Sequence, residues 1–163
     1  YNYICIIYLI MKKIVIITFC FMGVLLAFYL GKCIGSWPNS KETISAVEKD
    51  SGLKIPSDGK VVFTISDNVF MHGRLGQYTA ISFNDKPEEF LSSNNFLSEL
   101  PSDFQKQFLE GFESCYTIRR EDVMDKFYPD FEGEDYYLYL ENKSVFFVYD
   151  SDRKLLMVLS AVI

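Results

Sequence analysis

The densest group of ionisable side chains lies between residues 130 and 135, where four carboxylates stand close together: Asp130, Glu132, Glu134 and Asp135. Calcium prefers oxygen ligands of this kind. The run lacks the pattern of a twelve-residue calcium loop, because its glycine is fourth rather than sixth and no glutamate closes it. Two of the carboxylates could serve a glycosidase, a role that depends on their separation in space. A solvated loop is the common structure of such a run, so we predict binding residues here and no catalytic ones.

His72 is the only histidine, and it lies with Arg74 in a predicted loop, residues 69–76. One histidine cannot build a multi-histidine metal site, and Cys115 is the only thiol after residue 35, so a structural zinc site lacks ligands. His72, Cys115 and an aspartate could form a nucleophilic pair. However, Cys115 follows a phenylalanine-rich segment, where a free cysteine is usually a small buried apolar group. We predict that His72 and Arg74 are binding residues.

The sequence motifs of several enzyme classes are missing. The chain has no Gly-x-Ser-x-Gly elbow, no phosphate-binding glycine loop and no dinucleotide-binding fingerprint. Gly73 and Gly76 are too close together for either glycine motif, and we predict that they shape a hairpin-type loop with positive φ. We therefore predict no metal and no cofactor, and we favour a non-enzymatic protein.

An uncharged apolar segment, residues 14–31, follows Lys12 and Lys13. A helix of this length would extend roughly 27 Å, close to the hydrocarbon thickness of about 30 Å. The two lysines favour a cytoplasmic N-terminal side, which would export the rest of the chain. We predict a transmembrane or signal-anchor helix that tethers the protein to the membrane. A signal peptide cleaved near residues 33–36 is the alternative, and it would release a secreted protein.

Cys33 follows Leu30, Gly31 and Lys32, which resembles the lipobox of bacterial lipoproteins except that Lys32 replaces a small residue. Acylation of Cys33 is therefore a further alternative. Residues 1–35 are predicted as the apolar N-terminal segment, with Met11 as a natural start. Residues 36–163 are predicted as a single extracytoplasmic domain, whose length suits one domain.

The predicted domain is strongly acidic. All 22 acidic residues but only 13 of the 16 basic residues follow Ser36, which leaves a formal charge of −9 (13 − 22). This charge argues against nucleic acid and against anionic lipid surfaces as partners. It suits a basic partner, or serves only to keep the surface soluble.

The spacing of apolar residues predicts an α+β domain with a mostly antiparallel sheet of about five strands. Its predicted order is one helix, two strands, helices that include a stripe of Phe104, Phe108 and Phe112, and then three strands. The predicted segments are a helix over residues 40–50, strands over 61–66 and 77–83, helices beginning near 85 and 101, one or two helical turns over 121–127, and strands over 135–141, 144–150 and 155–163. The last strand is apolar on both faces, so we expect it to be central or covered on both sides.

The layout after Leu53 resembles a broad group of small exported proteins and lipoproteins of bacteria. The shared features are an apolar N-terminal segment, a Leu/Ile-Pro turn before a strand, a His-Gly loop, and a closing hairpin with an aromatic-Tyr-Asp-x-Asp turn. The matching residues are Ile55-Pro56, His72-Gly73 with Gly76, Leu100-Pro101 and Phe147 to Asp152. This chain departs from the group in lacking a second histidine and an aspartate in the glycine loop. The resemblance implies a fold and a compartment, and it brings no activity with it.

Three functional hypotheses follow. The first is a membrane-tethered, extracytoplasmic, non-enzymatic module that binds a protein or envelope component of a bacterial cell. The second is an immunity-like protein that neutralises a basic toxin, which the charge of −9 suggests. The third is an envelope hydrolase that uses carboxylates near residues 130–135.

Overall fold

The computed structural model describes Thr18, Met22 and residues 40–69, 73–115 and 118–161, with the backbone alone at 67–69 and 73–75. The chain divides into two compact units, Tyr1–Trp37 and Pro38–Ile163. Thr18 and Met22 are α-helical. No helix among the described residues combines the length and the apolar character needed to cross a membrane. Cys33 and nearly all of the apolar segment lie outside the described residues, so the anchor, its orientation and its lipidation stay predictions.

The second unit contains a five-stranded antiparallel sheet. Its strands are β1 Lys60–Val69, β2 Gly73–Ser82, β3 Asp135–Leu140, β4 Val145–Asp150 and β5 Leu155–Ala161, in the order β1-β2-β5-β4-β3. The predicted α+β class with an antiparallel sheet is thus confirmed. The apolar last strand, β5, is central, as predicted, with two strands on each side, and both of its faces are covered by packed side chains.

Three α-helices of the described residues pack on the two faces of the sheet. They are α1 Ser40–Ser51, α2 Glu88–Ser93 and α3 Phe104–Ser114. The predicted phenylalanine stripe of α3 is buried against one face, beside Tyr78, Phe146 and Leu159. Val47 of α1 and Phe90 of α2 are buried with the other face. Short 3-10 turns at Arg120–Asp122, Asp125–Phe127 and Glu141–Lys143 complete the described elements.

The hairpin of β1 and β2 is longer than its sequence predicts. Its strands extend to Val69 and from Gly73, so the predicted loop over residues 69–76 was wrong, and only residues 70–72 lie between the strands. Polar residues and glycine are poor strand formers on their own, but here they pair across the hairpin. The predicted positive φ of Gly76 was also wrong, since its φ is not in the left-handed region, and the positive φ of Gly73 stays a prediction. Gly76 is required for space, because a Cβ atom there would overlap Sγ of Cys115.

Candidate functional site

The outer edge of the sheet at β3 is held by a single backbone bridge. The Leu97 N–H donates to the Tyr137 carbonyl at 2.9 Å, and the Tyr137 N–H donates to the Leu97 carbonyl at 2.8 Å. The backbone groups of Tyr137 therefore face away from β4. Backbone groups alternate in direction along a strand, so residues two positions apart face the same way. The backbone groups of Asp135 and Tyr139 therefore also face outward, away from β4.

This alternation makes Asp135 and Asp150 a non-hydrogen-bonded pair, since they are directly opposed in β3 and β4. Side chains approach each other most closely in such pairs. Both carboxylates are buried, with only 2% and 4% of their residue surface exposed. Two acidic groups thus share the end of one face of the sheet.

The two carboxylates have different partners. Arg153 binds Asp150 through its backbone N–H, at 2.7 Å from Oδ1, and through its side-chain Nε on Oδ2. Its guanidinium also donates to the carbonyls of Lys126 and Tyr128 at 3.0 and 3.1 Å. By contrast, Oδ2 of Asp135 is buried without a hydrogen-bond partner among the described residues. Arg153 therefore neutralises one member of the pair and fastens it to the 3-10 segment.

The pKa of Asp135 is raised to about 6, first by burial and then by the nearby Asp150 and Asp130. The pKa of Tyr137 is raised to about 12, mainly by burial and further by the nearby carboxylates of Asp135, Asp130 and Asp150. Asp135 consequently takes up a proton close to neutral pH, which relieves the repulsion within the pair.

The predicted acidic residues have two different environments. Asp130, Glu132 and Glu134 are exposed, as expected for a solvated loop, and the Glu132 N–H donates to Oδ1 of Asp130 at 3.2 Å. The same expectation was wrong for Asp135, which is the first residue of β3 and points into the packed face. Among the residues that the structure describes, no group of three or more His, Cys, Asp or Glu is arranged to hold a metal ion.

Of the other two predicted binding residues, the structure places only Arg74, and it lies apart from the acidic loop. His72 lies outside the described residues. The backbone of Arg74 pairs with Asn68 in the β1–β2 hairpin, and β5 and β4 separate its strand from β3. The four carboxylates thus lie in one segment, and two strands separate Arg74 from β3.

A cavity of about 310 Å³ runs beside the edge of β3. It is lined by β3, by the start of α3 and by the segment that precedes it, through Asn95, Leu97, Pro101, Ser102, Asp103, Phe104, Gln107, Tyr137, Leu138 and Tyr139. A second depression of about 300 Å³ lies along residues 97–101 and includes Glu99. We call these two cavities together the β3 groove. Its charged lining residues are Glu99 and Asp103, and it has no lysine or arginine.

Phe131 connects the acidic loop to the β3 groove. Its ring lies 6.4 Å from the ring of Phe104 and 6.4 Å from that of Tyr137, and both of those residues line the groove. The loop of residues 130–134, which carries three exposed carboxylates, therefore contacts two lining residues of the groove through the ring of Phe131.

The residues that line the β3 groove were not predicted as binding residues from the sequence. Leu97, Tyr137 and Tyr139 resemble ordinary core or strand residues, and only the strand order places them at an edge. The signal in the sequence was Leu97, an apolar residue followed by Ser98 and Glu99, which is 54% exposed in the structure. No protein-family model, no curated protein and no solved structure matches this chain.

Proposed function

We propose that this chain is a membrane-tethered, extracytoplasmic protein whose α+β domain binds a basic protein partner and catalyses no reaction. The observation that carries the proposal is the β3 groove, an apolar and aromatic channel whose only charged lining residues are acidic. A basic toxin that the chain neutralises is a narrower version of the same proposal.

The acidic side chains around the groove are available to a partner. Ion pairs among the described residues join Lys106 to Glu110, Arg120 to Asp125, Arg153 to Asp150, and Lys154 to Asp85. They include none of the five exposed carboxylates at the groove and the adjoining loop, which are Glu99, Asp103, Asp130, Glu132 and Glu134. Unpaired charges of one sign steer an oppositely charged partner and speed its association.

Arg120 and Arg153 are engaged with the protein itself. Arg120 pairs with Asp125 at 2.7 Å and covers the ring of Tyr128, and Arg153 is bound to Asp150. These arginines therefore do little to offset the negative potential at the groove. An apolar centre with a charged rim is the usual anatomy of a protein-binding surface.

The alternative of an envelope hydrolase was predicted on the carboxylates of residues 130–135. Asp130, Glu132 and Glu134 are exposed in the loop, and Asp135 alone belongs to a buried pair, with Asp150. In the described structure the carboxylates of Asp135 and Asp150 are both buried, and Asp150 forms an ion pair with Arg153. A general acid or base must come within hydrogen-bond reach of its substrate, and the buried Oδ2 of Asp135 offers no such access. The pair is thus better explained as a structural element that positions β3 and the acidic loop.

The membrane tether and the orientation of the domain rest on residues 12–31 of the sequence. They would place the groove on the outer side of the membrane, where envelope proteins are its candidate partners.

The proposal is tested by capturing envelope proteins on the full chain in detergent micelles. Each captured protein is identified by mass spectrometry, purified and titrated against the chain at low and high salt. We expect a basic protein whose affinity falls at least tenfold between 50 and 200 mM salt, because surface charge interactions are screened by salt. Binding restricted to neutral or acidic proteins would contradict the proposal. So would turnover of an envelope substrate that is lost in Asp135→Asn or His72→Ala.

A further inference from the structure

We propose that the β3 groove takes an extended, basic segment of the partner as an additional strand on the edge of β3. This inference rests on the proposed function, since it specifies how the basic partner binds. The supporting observations are the backbone geometry of the β3 edge, the regular pairing of β3 with β4, and the charge of the groove.

The edge of β3 offers unused backbone groups at Tyr139. The N–H and C=O of Tyr137 are bonded to Leu97, and those of Tyr139 face the same outward direction two residues later. No described residue outside the sheet forms a backbone hydrogen bond with Tyr139. Leu97 is therefore a one-residue bridge, and beyond it Tyr139 is left without a backbone partner among the described residues before β3 ends at Leu140. Unpaired edges are templates for added strands.

Space beside this edge is available. Tyr139 and Leu138 line the cavity of about 310 Å³ together with Leu97 and Phe104. A strand lies about 4.8 Å from its neighbour, so a peptide paired with Tyr139 would lie within the cavity. Leu97 would lie at the end of the bound peptide. It is the most exposed apolar residue of the groove, with 54% of its surface exposed.

The two edges of the sheet differ in regularity. The register of β1 against β2 shifts twice, between Val61 and Phe63 and between Ser66 and Asn68. Such irregularities twist an edge strand and hinder further pairing. The register of β3 against β4 is continuous from Asp135 to Leu140. The β3 edge is thus the one suited to accept a strand.

The negative charge of the groove favours a basic peptide segment as its occupant. Glu99 and Asp103 line the groove, and Glu132 and Glu134 lie in the acidic loop that adjoins it. A second copy of this chain would bring the same carboxylates together, and each domain carries a formal charge of −9 (13 − 22). Like charges in an interface oppose pairing. A segment of a partner that alternates apolar residues with lysine or arginine matches both the aromatic lining and the charge.

The experiment titrates the full chain in detergent micelles with a synthetic decapeptide of alternating lysine and valine. Three further peptides are compared with it. One replaces every lysine with glutamate, one is N-methylated at every lysine, and one is N-methylated at every valine. A paired strand directs alternate N–H groups to its neighbour, so we expect one methylated peptide to bind at least tenfold more weakly and the other to bind nearly as well as the parent.

A chain variant tests the same contact from the other side. Tyr139→Pro removes an N–H that faces away from β4, and proline is tolerated at such edge positions. Tyr139→Val is the matched control, because it removes the ring and keeps the N–H. We expect the proline variant to bind the parent peptide at least tenfold more weakly than the valine variant. The methylated peptides test the intact chain, so the comparison stands even if Tyr139→Pro does not fold.

The outcomes separate the two proposals. Equal binding of the lysine and glutamate peptides would contradict the proposed basic partner. Charge-selective binding that is insensitive to both methylation patterns and to Tyr139→Pro would leave the basic partner standing and overturn strand addition. A dimer of the chain alone that is lost in Tyr139→Pro would overturn the choice of occupant.

Discussion

Asp135 and Asp150 lie directly opposite each other in β3 and β4, both buried, and the arginine Arg153 is bound to Asp150. Oδ2 of Asp135 has no hydrogen-bond partner among the described residues. The pair stands at the start of the strand whose outer edge forms the β3 groove. The free energy of this pair therefore affects how stably β3 is held at the proposed binding surface.

We predict that Asp135→Asn stabilises the domain above pH 6. The pKa of Asp135 is about 6 in the folded protein and 3.8 in its ordinary state. The folded chain thus holds this proton more tightly, so the contribution of Asp135 to stability is fully present at low pH and is lost as the pH rises from about 4 through 6. Asparagine removes this loss, and we expect a gain of about 1–2 kcal/mol at pH 7.5 and almost none at pH 4.

Urea denaturation of the full chain at the two pH values measures this difference. Glu134→Gln is the matched control, since it removes a neighbouring exposed carboxylate and should change the free energy of unfolding by less than about 0.5 kcal/mol. An asparagine variant that is less stable than the parent at pH 7.5 would show that the ionised form of Asp135 is favoured by the fold.

We predict that Arg153→Gln strongly destabilises the domain. The substitution leaves Asp150 buried without its cation and frees the carbonyls of Lys126 and Tyr128. Removing one partner of a buried ion pair costs about 3–5 kcal/mol. The surface pair of Lys106 and Glu110, 3.9 Å apart, provides the control, because Lys106→Gln should cost about 0.5 kcal/mol or less. Similar losses for the two variants in urea denaturation would refute this role of Arg153.

We predict that Gly76→Ala is destabilising because of Cys115. An added methyl group would overlap Sγ of Cys115, and overpacking of this kind costs about 1–3 kcal/mol. The double variant Gly76→Ala/Cys115→Ala should recover most of the loss, measured against Cys115→Ala alone. If the loss is unchanged in the double variant, then the clash with the thiol is not its cause.

We predict that a C-terminal tag on the full chain is digested by protease added to intact spheroplasts. The basis is the apolar segment of residues 14–31 behind Lys12 and Lys13. A cytoplasmic protein of the same cells must stay undigested as the control. Protection of the tag until the membrane is lysed would reverse the predicted orientation and place the partners of the groove in the cytoplasm.

Much of the fold could be predicted from local patterns. The two apolar faces of residues 155–161 indicate a central strand, and the spacing of Phe104, Phe108 and Phe112 indicates a helix with one buried side. The helix predicted over residues 40–50 is α1, Ser40–Ser51, and Gly52 follows it with a φ of +74°. Each of these features depends on residues that are close in sequence, which is why the sequence alone predicts them.

The candidate site could not be predicted in the same way. Asp135 is buried while Glu134 is exposed, and nothing in their composition distinguishes the two carboxylates. The difference arises because β3 begins at Asp135. Tyr139 lies at an open edge because the strand order is β1-β2-β5-β4-β3, and this order is set by contacts between distant parts of the chain.

The most direct test of the proposed function is the affinity of the full chain for the lysine–valine decapeptide after matched charge reversals. The triple variant Glu99→Lys/Asp103→Lys/Glu132→Lys changes the groove and its adjoining loop. The control Glu42→Lys/Glu88→Lys/Glu89→Lys alters the same number of exposed carboxylates on α1 and α2, which pack with the opposite face of the sheet. We expect the groove variant to lose at least tenfold in affinity, about 1.4 kcal/mol, and the control to lose less than threefold. Equal losses would show that net charge alone attracts the peptide, and would contradict a specific binding surface at β3.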